Sequence, residues 1–207
     1  MYTSRMETGE RLKNLLCKIQ SKEKFKKPCL IFDDGAIEVI RKVHGIDNPN
    51  LHEIPFLGVV GEDDRVENII CEPNFARHSR LHQTGIATFT SSVDKNELTH
   101  LFQKALSSGK LEKVKMVGHL HPSGETIQGQ HRVIIPPSED LLLPSKSDIS
   151  FMDVLGELNP NQNIDYTAIT ANTPDGPKLR VYDTKKLVKM KKVRDLDDLP
   201  SQTIDLY

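Results

Sequence analysis

Two histidines stand one residue apart in Gly118-His119-Leu120-His121-Pro122, at the end of the apolar run 113–121. Alternate side chains of an extended strand share a face, so His119 and His121 can present two imidazoles to one metal ion while Leu120 turns toward packing. Pro122 cannot donate a ladder hydrogen bond and ends the strand, which leaves the pair at a sheet end. Further along, Pro144-Ser145-Lys146-Ser147-Asp148 precedes an apolar-periodic segment. Asp148 therefore opens a helix over 148–158 and offers a carboxylate from a rigid element. Two imidazoles and one carboxylate make a catalytic zinc set with a fourth position left for water. Zinc lowers the pKa of water from ~15.7 to about 7 and polarises a carbonyl oxygen, which is hydrolytic chemistry. A further carboxylate is then needed to move the proton.

These side chains need a frame. Residues 1–28 place Leu12, Leu15, Leu16 and Ile19 at helical spacing and end in a lysine-rich stretch, which reads as a docking helix and linker. The folded core is expected from Cys29. CLIF is strand-like, Asp33 and Asp34 are capping residues, and Ile37, Val39, Ile40 and Val43 continue as a helix. Residues 54–60 and 65–71 are apolar and β-branched about a turn at 61–64, which predicts a hairpin. Leu98, Leu101, Phe102, Ala105 and Leu106 predict a helix stopped by Gly109. A strand over 113–121, a long irregular insertion over 123–144, the helix 148–158 and strands near 164–171 and 178–183 follow. The lysines and aspartates from Lys185 onward show no apolar period and read as a solvated tail. The expected class is α/β: a mixed central sheet flanked by helices. It comprises one domain over 29–184 between an N-terminal extension, 1–28, and a charged tail, 185–207.

Composition narrows the function. With 28 Lys and Arg against 29 Asp and Glu, the net charge of −1 supplies no global field for nucleic acid or an acidic membrane. There is no Trp, and 5% aromatics provide few stacking platforms for a single strand. No apolar run nears the ~20 residues of a membrane span. Cys17, Cys29 and Cys71 are too few and scattered for a disulfide framework, so a reducing, cytoplasmic setting is expected. His-Glu-x-x-His, a dinucleotide fingerprint, a phosphate loop and the Pro-Cys-x-x-Cys of zinc deaminases are missing from the sequence. His44, His52, His78, His82, His100 and His131 lack partners at ligand spacing, and no role is assigned to Cys71.

His-x-His-Pro followed by Ser-x-x-Asp, with a Glu on an earlier strand, resembles the JAMM/MPN+ metalloproteases. The His-Pro-Ser-Gly and Pro-Ser-x-x-Asp contexts are also similar to the RadC-type branch. The resemblance implies a JAMM/MPN, cytidine-deaminase-like architecture and zinc on His119, His121 and Asp148. It also implies Ser145 as a stabiliser of the tetrahedral intermediate and Glu53 as general acid/base. The implied activity is hydrolysis of peptide or isopeptide bonds, with a protein substrate, possibly carrying a ubiquitin-like modifier, as partner. The alternative from another class is a non-catalytic MPN-like scaffold or a RadC-like nucleic-acid-associated module.

The sequence departs from the family pattern in three places. Leu120 replaces a small hydroxyl residue between the histidines. Residues 123–144 put 22 residues between Pro122 and Ser145 where the family has seven, which suggests a flap over the substrate groove. Glu53 lies eight residues before Gly61 rather than seven. Because one residue turns a strand side chain to the other face, Glu53 needs a bulge or an irregular entry near Pro55. Glu62 and Glu67 are the fallbacks. Ser145 and Asp148 also fit a capping box, a purely structural use of the same spacing.

Overall fold

The computed structural model describes residues 28–46, 48, 51–72, 82–84, 88–90, 95–128, 131–158, 163–189 and 199–207. Within them the chain runs β1 (Ile31–Phe32), α1 (Asp34–His44), β2 (Ile54–Val60), β3 (Arg65–Cys71), β4 (His82–Thr84), β5 (Thr88–Thr90) and α2 (Lys95–Ser107). After a 3-10 turn at Leu111–Lys113 come β6 (Val114–His121), β7 (Gly124–Gln128), β8 (His131–Ile135) and a second 3-10 turn at Glu139–Leu142. The chain then forms α3 (Lys146–Leu158), β9 (Tyr166–Thr173), β10 (Gly176–Asp183), α4 (Thr184–Val188) and β11 (Ser201–Asp205). The predicted N-terminal helix lies outside the described residues.

Seven strands form one mixed sheet in the order β1-β3-β2-β6-β9-β10-β11. β2 is antiparallel to both β3 and β6, while β6 and β9 are parallel. A parallel pair needs a long crossover. Here the crossover carries α3, and α3 carries Asp148 back to the strand that bears the histidines.

Alternation divides the core between the two faces. On one face, Phe56, Met116, Ala168 and Leu179 pack with Ala36 and Ile40 of α1. On the other, Leu57, Val59 and Val117 pack with Leu98, Leu101 and Ala105 of α2 and Met152 and Leu155 of α3. The general α/β class and the flanking helices are therefore those read from the apolar periods. Gly118 sits between two strands where a Cβ would come within 2.4 Å of the Phe56 ring and 2.8 Å of the Ala168 carbonyl oxygen. The residue before His119 must therefore be glycine for β2, β6 and β9 to close up.

Four expectations change. Residues 123–144 are not irregular: β7 and β8 pair antiparallel, with Thr126 buried and Ile127 and Ile134 exposed. Their alternation had been masked by the flanking polar and proline residues. The tail is not solvated throughout either, because β11 pairs with β10 and Leu206 is fully buried. Ile204 and Leu206 share the α1 face with Leu179 and Val181, a two-residue period too short to register beside so many charges. Asp33 occupies the N-cap position of α1, yet its carboxylate accepts from Arg65 on β3 instead of capping the helix. Cys71 is a free thiol, but Cys29 is disulfide-bonded to a partner outside the described residues, contrary to the expectation of unpaired thiols. Sequence spacing could not reveal that bond, because pairing depends on three-dimensional approach. Among the described residues no helix is long and apolar enough to cross a membrane.

The packing of Leu206 makes a measurable prediction. Leu206→Ala should cost about 2–5 kcal/mol in urea unfolding, the range for emptying a core leucine site. A tail residue in solvent would change stability by no more than about 0.5 kcal/mol.

Candidate metal centre

The sheet delivers three of the side chains of interest in register. Val117, His119 and His121 alternate onto the α2/α3 face of β6, opposite to Met116, Gly118 and Leu120. Pro55 of β2 lies directly across from His119. Glu53 immediately precedes β2 and has the parity of Leu57 and Val59, so it comes to the same face beside the histidines. Residues 51–53 lie outside the strand, and Leu51 has φ of 50°. The register shifts of β2 lie between Gly58 and Val60, within the span from Glu53 to Gly61, so a bulge there takes up the extra residue of that spacing. Glu62 is exposed in the turn and Glu67 pairs with Lys113 at the surface, so neither fallback is at this position.

Glu53, His119, His121 and Asp148 are all buried, with one potential ligand atom from each within 4.8 Å of the others. The Nε2 atoms of His119 and His121 are 2.8 Å apart. Asp148 bridges them, with Oδ1 3.4 Å from His119 Nε2 and Oδ2 3.4 Å from His121 Nε2. Glu53 Oε2 stands further off, 4.0 Å from His119 Nε2. Bonds of ~2.0–2.1 Å in a tetrahedral site put ligand atoms roughly 3.4 Å apart, and these separations bracket that value. The donor set fits as well: two imidazole nitrogens and two carboxylates are the donors a divalent cation takes, and the carboxylates can offset its charge. This group is able to hold a metal ion.

The surroundings set each protonation state. His121 Nδ1 donates to the Leu141 carbonyl at 2.6 Å, which directs the other ring nitrogen toward the cluster. Burial pushes the His119 pKa down to about 4, partly offset by the charge of Asp148. Burial opposes a charge on His121 too, but Asp148, Glu53 and the Leu141 carbonyl override it and raise its pKa. Burial likewise works against ionised Asp148. The imidazoles and the Ser145 N–H overcome that penalty and hold its carboxyl below the ordinary carboxylate range.

Ser145 and Asp148 form the reciprocal capping box that their spacing allowed. Ser145 N–H donates to Asp148 Oδ2 at 2.6 Å, and Asp148 N–H donates to Ser145 Oγ at 3.2 Å. The structural and metal-binding readings of Asp148 are thus compatible, since one oxygen caps the helix while the pair still faces the histidines. The Ser145 hydroxyl also shares a hydrogen bond of 2.7 Å with Ser147 and is solvent-exposed.

Two other histidines have partners far away in sequence. His44 lies against Thr170 and Asn172, and His52 against Glu97. Cys71 is unsuited to nucleophilic work, because burial pushes its pKa up to about 12. The carbonyl of Leu141 was invisible to motif reading, since any residue supplies a backbone acceptor. Compared with known proteins, the chain matches no protein-family model and no curated sequence.

The protonation states predict a proton–metal competition with a definite slope. Of the three residues His119, His121 and Asp148, His119 is already neutral and Asp148 ionised at pH 5–6.5, so His121, with its raised pKa, is the one that must lose a proton on metal binding. Apparent affinity in a chelator-competition titration should therefore fall about tenfold per pH unit below the His121 pKa. A hundredfold fall per unit would mean that a second group of the cluster is protonated in the metal-free protein.

Proposed function

We propose that the chain is a zinc-dependent metallopeptidase of JAMM/MPN type that hydrolyses peptide or isopeptide bonds, with removal of ubiquitin-like modifiers from proteins as the favoured substrate class. The observation that carries this reading is the buried convergence of Glu53, His119, His121 and Asp148 from β2, β6 and α3. His119, His121 and Asp148 are the ligands. Zinc held there supplies Lewis-acid polarisation of the scissile carbonyl and eases deprotonation of water.

The chain's own groups supply the rest. Glu53, the outlying member at 4.0 Å from His119 Nε2, takes the proton from the attacking water and returns it to the leaving amine. Its burial favours this role, because a carboxylate in a water-poor pocket faces little competition from bulk solvent. Ser145, fixed at the start of α3 by its capping bonds, directs its hydroxyl proton to the developing oxyanion. The β7–β8 hairpin leaves the sheet just after Pro122 and returns through Leu141, so the segment that accepts from His121 is also the root of the flap.

Purified protein should contain about one zinc per chain, and Asp148→Ala should lose it while remaining folded. Glu53→Gln should keep the zinc and lower peptide or isopeptide hydrolysis by about 10²–10⁴-fold, the usual weight of general acid–base catalysis. Folded wild-type protein without metal affinity would favour the scaffold, and a fully active Glu53→Gln would move the base elsewhere. Shortening 123–144 to seven residues should impair cleavage of protein substrates more than cleavage of a small peptide. Equal loss on both would remove the flap's role in substrate recognition.

A further inference from the structure

His52 and Glu97 form a second buried acid–imidazole pair, apart from the four residues of the metal centre. His52 Nε2 lies 2.9 Å from Glu97 Oε2, with side-chain exposures of only 6% and 10%. Such a pair is weak evidence for stability, because the desolvation it requires offsets much of the attraction. Its placement suggests another use, since His52 is the residue before Glu53 and Glu97 lies in the first turn of α2.

The backbone of this segment is held as tightly as its side chain. Asn48 Oδ1 accepts from the His52 N–H at 2.8 Å, and Asn48 Nδ2 donates to the His52 carbonyl at 2.7 Å. The Asn48 carbonyl accepts from the Leu51 N–H at 3.1 Å. Leu51 itself adopts φ of 50°, a left-handed conformation that a non-glycine residue keeps only when its neighbours enforce it. One asparagine thus fixes the backbone of His52, and one buried hydrogen bond ties that residue to a helix packed on the β2 core.

We infer that Asn48, His52 and Glu97 are positioning residues that hold the Glu53 carboxylate at the working distance from the histidine pair. The Glu53 side chain extends from a loop end and not from within a strand, so β2 alone sets its face but not its depth. The bracket supplies the missing constraint by anchoring the preceding residue to α2. This rests on the reading of Glu53 as the proton carrier, and the test separates the two.

The test is a double-mutant cycle of Glu97→Ala with Glu53→Gln in the full chain. Zinc affinity by chelator competition and hydrolysis of a peptide or isopeptide substrate are read in parallel, with thermal unfolding as the control for folding. Alone, Glu97→Ala should lower hydrolysis by about 10- to 100-fold, the usual scale for groups that orient a site's inner residues, while zinc affinity, which Glu53 does not supply, stays at the wild-type value. In the Glu53→Gln background the same substitution should add less than about twofold, because its effect passes through a carboxylate already removed. Glu97→Gln, which keeps the size and an acceptor oxygen for His52, should recover most of the loss. Equal fold-losses of hydrolysis in both backgrounds, or no loss of hydrolysis by an active wild type on Glu97→Ala, would overturn the inference. If Glu97→Ala does not fold, Asn48→Ala at a half-buried loop position enters the same cycle with the same expectation. Should the wild type bind zinc without hydrolysing any substrate, the hydrolase reading alone fails, and the bracket is decided by a crystal structure of Glu97→Ala: displacement of Glu53 Oε2 from its 4.0 Å separation to His119 Nε2 supports it, and an unmoved Glu53 overturns it.

Discussion

Two carboxylates and two imidazoles are brought out of water into one small volume, and most of the surrounding architecture can be understood from that requirement. Their side chains are 7–11% exposed. Burying a carboxylate costs several kcal/mol unless charge and hydrogen bonds compensate. The compensation comes from several elements at once: the imidazoles of β6, the first-turn N–H of Ser145, and a divalent cation for which the donor set is suited. The antiparallel contact of β2 with β6 and the parallel crossover through α3 are the two connections that make the cluster possible.

Asp148 shows how one residue can close a helix and join a buried cluster together. Its bonds with Ser145 close the start of α3, and a helix so capped cannot easily shift the carboxylate relative to β6. The Leu141 carbonyl does similar work from the opposite side by fixing the ring of His121. Because Leu141 lies in the second 3-10 turn after the β7–β8 hairpin, segment 123–144 is coupled to the orientation of the His121 ring.

Much of the site was readable because its logic is local. The two-residue period of His119 and His121, the strand-ending Pro122 and the Ser-x-x-Asp before an apolar run all carry their geometry within a few positions. Glu53 was harder, because counting back from Gly61 ignores the cross-strand register in which Pro55 faces His119. Contacts between distant residues had no signature: His52 meets Glu97 across 45 positions, and Cys29 finds its disulfide partner by folding. In the fold, periodicity placed the central elements, whereas the hairpin within 123–144 and the edge strand β11 escaped. Their short alternations are interrupted by prolines or crowded by charge.

The central claim is that His119, His121 and Asp148 converge on one zinc ion. Anomalous diffraction at the zinc edge from zinc-soaked crystals addresses it directly. The account predicts one strong peak about 2.0–2.2 Å from both Nε2 atoms and an Asp148 oxygen, with one position left to solvent. A peak elsewhere on the chain, or none between these three side chains at saturating zinc, would contradict it.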